Sequence, residues 1–257
     1  MGKSEQQSMC EIGSAILTYA IPWGFTSQNY ALRALVFPHI KANELYARQL
    51  GLTEQYFDDR CTKFSRVMNE NEDWDNAEQI ELQAMNMRKR VLGAEHRYTL
   101  ASIGNLALAY TGQGRWNEAE QLQVQVMDMR KKVVGAEHPD TLTSIGNLAN
   151  TYYSQERWNE AEQLQVQVMD MEKKVLGAEH PRTITSMGNL AKTYYHQERW
   201  NEAEQLQVQV MDMRKKVLGA EHPDTLTSMD DLADTYYSQE RRNEAEKLQV
   251  QAMRKKH

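Results

Sequence analysis

Four tryptophans, Trp74, Trp116, Trp158 and Trp200, stand 42 residues apart, and each opens a near-copy of one segment. Arg242 stands where a fifth would fall. The copies that begin at Trp116 and Trp200 differ at only five positions: Val134/Leu218, Ile145/Met229, Gly146/Asp230, Asn147/Asp231 and Asn150/Asp234. Self-similarity at a fixed period of about 20–50 residues marks an array in which one supersecondary unit stacks on the next. Such a chain is quasi-one-dimensional, and a single core built from distant pairings is ruled out.

Each period divides into two helices, which we term helix B (opened by Trp) and helix A. In the copy at Trp116, Ala119, Leu122, Val126, Met129 and Val133 advance by steps of three and four, the spacing of one helical face. Val124, Met127 and Val134 widen that stripe. Glu118 and Glu120 in the first turn and Arg130, Lys131 and Lys132 in the last suit the helix dipole. Gly135 is expected to end the helix in a left-handed conformation. His138-Pro139 disfavours a helical His138 and sets Pro139 at the next start, with Asp140 or Thr141 expected as the cap. Helix A then buries Leu142, Ile145, Leu148, Ala149 and Tyr152, and the turn 154–157 returns the chain to the next Trp. Nothing in the array reads as a strand.

The pattern N-L-A-x-x-Y, a turn, then W-x-E-A-E-x-L resembles a tetratricopeptide repeat. The 42-residue unit ending V-L-G-A-E-H-P is similar to the kinesin-light-chain type. Near-identical copies rich in L-Q-V-Q-V-M-D-M-R-K-K-V-L-G resemble arrays of filamentous-fungal NLR-like proteins, where they follow a nucleotide-binding module. The resemblance covers residues 53–257. It implies an all-α fold, a right-handed α-solenoid of about five helix pairs. Phe64 to Met68 would lie in helix A of a degenerate first repeat. Arg242 and Lys247 replace Trp and Gln in a polar last repeat, which suits a solvent-facing cap. Residues 1–52 form a separate helical N-terminal segment in this reading, with 30–40 resembling the stretch that precedes such arrays in the fungal proteins.

Phosphate loops, dinucleotide turns, zinc-protease helices and nucleophile elbows are all absent from the sequence. Thirty Lys and Arg against thirty-six Asp and Glu leave a net charge of −6. That balance argues against nucleic acid and against an anionic membrane surface. The longest apolar stretch, 12–25, is too short and too interrupted to span a bilayer, and neither a signal peptide nor N-myristoylation is expected. A cytoplasmic, non-enzymatic monomer is expected. His96, His138, His180 and His222 share the 42-residue spacing, but stacked repeats stand about 8–10 Å apart and zinc needs nitrogens within about 2 Å. They are read as turn residues, the tryptophans as packing between helices, and the methionines as core filler. No metal and no cofactor is expected.

The copies disagree chiefly on helix A. The resemblance makes this helix the lining of a concave groove for extended peptides. It also makes Asn105, Asn147 and Asn189 the amides that hold a peptide backbone, a task suited to a group that donates and accepts. Asp231 replaces that Asn in the last repeat. One turn later stand Leu108, Asn150, Lys192 and Asp234, with Asp230, Tyr153, Tyr195 and Tyr237 alongside. An apolar group, an amide, a cation and an anion in succession recolour one face while sparing the scaffold, which tunes selectivity. Too few cations line this face for a carboxylate clamp of the co-chaperone kind. A protein or peptide ligand is therefore expected. The alternatives are a scaffold that assembles through its ends and a kinesin-light-chain-like cargo adaptor.

Overall fold

The structure is a computed structural model that describes residues 2–22, 27–50 and 59–256. The described residues hold twelve α-helices and no strand. The chain divides into two compact units, Met1–Val133 and Val134–His257. The first contains α1 (Lys3–Ala20), α2 (Ser27–Leu50), α3 (Asp59–Glu70), α4 (Trp74–Leu92), α5 (Arg97–Gly112) and α6 (Trp116–Val133). The second contains α7 (Pro139–Ser154), α8 (Trp158–Leu176), α9 (Pro181–His196), α10 (Trp200–Leu218), α11 (Pro223–Ser238) and α12 (Arg242–Lys256). Within each unit consecutive helices pair, and the expected all-α solenoid architecture is what the chain adopts.

Phe64, Val67 and Met68 are fully buried in α3, and Trp74 opens α4. Residues 30–40 lie within α2. Cys10, Ile21 and Ile40 from the N-terminal helices share one apolar core with Phe64 and Val67. Arg33 is fully buried in α2. Its Nε donates to Glu70 Oε2 at 2.6 Å and its Nη1 to the Pro22 carbonyl at 3.1 Å, the pairing a buried charge requires.

Helix B packs on a small residue three positions after its first: Ala77, Ala119, Ala161, Ala203 and Ala245 are all fully buried. Val126 is buried as expected, but Val133 and Val134 are 47% and 44% exposed, because the chain is already leaving the helix there. Instead Gln123 is buried, as are Gln165 and Gln207 in later copies.

Gly135 has φ 98°, and Gly93, Gly177 and Gly219 match it, with ψ near 160° at Gly177 and Gly219. Positive φ with extended ψ is open only to glycine. The cap of helix A differs from expectation. His138 itself is the cap, held extended at φ −66°, ψ 139° by the following proline, and its Nδ1 accepts from Asp140 N at 3.1 Å. Thr141 instead turns back, its Oγ1 donating to the Gly135 carbonyl at 2.7 Å. His96, His180 and His222 cap in the same way, so each repeating histidine is a turn residue with an assigned bond.

The turn from helix A to helix B is also copied. Glu72, Glu156, Glu198 and Glu240 adopt φ 59–61°, and Gly114 takes the same place with φ 74°. An arginine follows each of the last four. Arg199 stacks over Tyr194, 4.1 Å from the ring centroid, while donating to Glu162 Oε2 at 2.8 Å and to both oxygens of Glu202. Arg115 and Arg241 repeat this bracket on Tyr110 and Tyr236.

Candidate functional site

In the second unit the face of interest is built by α7, α9 and α11, the helices A of three successive repeats. A position every 42 residues lands on the same turn of each helix, so the periodicity itself lines up Asn147, Asn189 and Asp231, all half-buried, and then Asn150, Lys192 and Asp234, all exposed. The buried residues on the other side of these helices, such as Leu148, Leu190 and Leu232, hold this face outward.

Two adjoining clefts open here. One, of about 110 Å³, is lined by Asn189, Lys192, Gln207, Arg214 and Asp231 among others. The other, of about 220 Å³, is lined by Tyr153, Lys192, Tyr195, His196, Gln207, Asp231 and Asp234. The expected residues Asn189, Lys192, Asp231, Asp234, Tyr153 and Tyr195 are thus brought together. Asn147, Asn150, Asp230 and Tyr237 line neither cleft. Tyr237 is 38% exposed, and its hydroxyl donates to Gln249 Oε1 at 3.1 Å. Asn105 belongs to the first unit, where its Nδ2 donates to Glu81 Oε1 at 2.8 Å.

The charges of the cleft are crowded and only partly paired. Lys192 Nζ stands 3.5 Å from Asp231 Oδ2. Burial, then the neighbouring Asp231 and Asp230, push the Asp234 carboxyl above the usual range. Burial and Asp231 likewise raise the Tyr153 phenol. Burial lowers the Arg214 guanidinium against the pull of Asp224 and Asp231, while its Nη1 donates to Ser228 Oγ at 2.7 Å and to the Asp224 carbonyl at 3.0 Å.

An aromatic cluster borders the larger cleft. Trp158 lies between helices, as expected, but stays half-buried. Its ring stacks on His196 at 4.9 Å and 11°, and Tyr153 meets it edge-on at 4.9 Å and 70°. The Tyr195 hydroxyl accepts from Ser238 Oγ at 3.1 Å.

Two features escaped the sequence reading. Gln207 forms part of the wall of both clefts from helix B, a polar residue inside an apolar stripe. Gln165, at the same place one repeat earlier, accepts from Thr193 Oγ1 at 2.6 Å. The signal was there in the recurrence of Gln among the apolar residues of the helix-B stripe. The second is a reciprocal exchange: Arg214 and Asp224 in one copy are Glu172 and Arg182 in the copy before it. Arg182 Nε donates to Glu172 Oε1 at 3.2 Å. Among the described residues no group of three or more His, Cys, Asp or Glu converges as a metal site, and no helix is long and apolar enough to cross a membrane.

Helix pairs repeating on a 42-residue period, each capped and turned alike, define a tetratricopeptide repeat array. The family model for the tetratricopeptide repeat matches residues 63–132, 105–174, 140–216 and 189–255, and the chain belongs to that family. It is similar to a Podosopora anserina protein with nearly identical TPR-like repeats of the kinesin-light-chain kind, at 32% identity and TM-score 0.66, over 76% of this chain and 92% of that one. Two likenesses are of fold alone. A Pyrococcus horikoshii signal transduction ATPase with numerous domains and a tetratricopeptide repeat sensor matches at 13% identity and TM-score 0.62, over 97% of this chain and 40% of that one. A Rap protein complexed with competence and sporulation factor matches at 12% identity and TM-score 0.58, over 89% and 71%. No curated protein sequence matches the chain. A tetratricopeptide array is a protein-interaction scaffold, and that is the class of function the fold defines.

Proposed function

We propose that the chain is a non-enzymatic binding module that takes an extended segment of a protein partner along the helix-A face of α7, α9 and α11. The observation that carries this reading is the alignment of Asn189, Lys192, Asp231 and Asp234 on one open face, at the positions where otherwise near-identical copies differ. Half-buried amides at Asn147 and Asn189 suit a peptide backbone, which offers a donor and an acceptor at every residue. In this reading the module acts as a cytoplasmic monomer and serves as the sensor arm of a fungal NLR-like receptor. The fold likeness to an ATPase that carries a tetratricopeptide repeat sensor supports that context.

Selection of binders from a random dodecapeptide library tests the proposal. The double variant Asn147→Ala, Asn189→Ala should weaken the selected peptides at least about tenfold, since each lost amide leaves a polar group of the peptide unpaired. Its melting temperature should stay within a few degrees of the parent. Equal binding by parent and double variant would sink the groove. If assembly depends instead on charges at 254–256, the end-to-end scaffold replaces it.

A further inference from the structure

The larger cleft of the second unit combines three kinds of group: carboxylates, aromatic faces and an unsatisfied amide. Asp231 and Asp234 supply the charge, and Tyr153, Tyr195 and His196 supply the rings. Gln207 is 5% exposed, forms part of the wall of this cleft and of the adjoining one, and its Oε1 has no hydrogen-bond partner. A buried amide oxygen without a partner forfeits the bond it would have made to water, so a site that holds one favours a ligand that brings a donor. Burial and the two neighbouring carboxylates hold Asp234 above its ordinary range, and a cation beside it would relieve that crowding. The cations already present do not fill the site. Arg214 is spent on Ser228 and the Asp224 carbonyl, and Lys192 reaches one oxygen of Asp231 at 3.5 Å.

We infer that this cleft is the pocket for an arginine side chain of the bound segment. The inference rests on the groove reading above and adds the chemistry of its specificity. A guanidinium is planar, carries five donors in a fixed fork and stacks on aromatic faces, whereas an ammonium is a compact and strongly hydrated point charge. Rings, carboxylates and a lone acceptor therefore fit arginine better than lysine. The chain uses the same grammar internally: Arg157, Arg199 and Arg241 each lie over a tyrosine ring at 4.1–4.2 Å while bonding a glutamate. Lys192, paired with Asp231 from the neighbouring helix, is the internal competitor that an incoming arginine must displace.

The dodecapeptides selected from the random library are the probes. Each arginine-bearing binder is remade with citrulline, which keeps the shape and removes the charge, and with lysine. Citrulline should weaken binding at least about tenfold, with lysine in between. The double variant Asp231→Asn, Asp234→Asn, whose changes lie on the solvent side of α11, should lose the same factor at an unchanged melting temperature. Lys192→Gln should bind the arginine peptides several-fold more tightly. Binders that depend on Asn147 and Asn189 but not on arginine overturn this inference and leave the groove standing. Binders indifferent to all of these substitutions overturn both.

Discussion

At one pair of matched positions the carboxylate sits on helix B in the first unit and on helix A in the second. Glu81 and Asn105 in the first unit occupy the places that Gln207 and Asp231 occupy in the second, three periods on. Glu81 is fully buried, and burial pushes its carboxyl up to about 7, against the hydrogen bonds of Asn105 and Ser65 and the charge of Arg88. Asp231 is half-buried, meets Lys192 and opens onto both clefts. The same two side-chain types thus make a pin in one unit and a recognition surface in the other. What separates them is solvent: one carboxyl is sealed from water with its Oε1 taken by Asn105, while the other opens onto the clefts.

The arginines beside the two pairs should give the largest difference. Arg88 is buried, and its Nη1 donates to Ser102 Oγ at 2.7 Å. Arg88→Ala should cost about 3–5 kcal/mol in urea unfolding, because it strips a buried carboxylate of its counter-charge. Arg214→Ala, at the rim of a cleft, should cost about 1–2 kcal/mol. Equal losses would erase the contrast between the units. Glu81→Gln gives the first unit the amide that the second already has. A carboxyl raised on folding favours the folded state while protonated, and that contribution is lost as pH climbs through about 7. The variant should therefore match the parent near pH 4 and exceed it by roughly 1–3 kcal/mol at pH 8. A difference that stays flat between those pH values would mean that Glu81 titrates alike in the folded and unfolded chain. The smallest effect belongs to the turns. Glu198 holds φ 60° where the first unit has Gly114, so Glu198→Gly should raise stability by up to about 1 kcal/mol in thermal melts, and Gly114→Glu should lower it by a similar amount.

Much of the fold was legible because a period repeats evidence. Trp74 to Trp200 set the phase, and Gly135 marked its turn. What escaped were residues whose role contradicts their type. A histidine before proline caps a helix here, although Asp140 and Thr141 carry the side chains that usually do so. Gln123, Gln165 and Gln207 are buried within a stripe read by its apolar members. In the candidate site, copy-to-copy differences pointed to Asn189, Lys192, Asp231 and Asp234. Gln207 matches Gln123, Gln165 and Gln249 in the other copies, so a comparison of differences passed over it.

The exchange of Glu172 and Arg182 for Arg214 and Asp224 bears on how such a chain finds its own register. Copies this alike could in principle dock on one another's partners, giving arrays slipped by one repeat or threaded through a second molecule. With the reversed pair, α8 laid against α11 would set Glu172 before Asp224, and α10 laid against α9 would set Arg214 before Arg182. Each misplaced docking brings like charges together at a half-buried site, whereas the correct one joins Arg182 to Glu172 at 3.2 Å and Arg182 to Thr143 of the preceding helix A at 2.8 Å. A single inverted pair among near-identical modules thus works as an address for one docking, marking α8 and α9 as each other's partners.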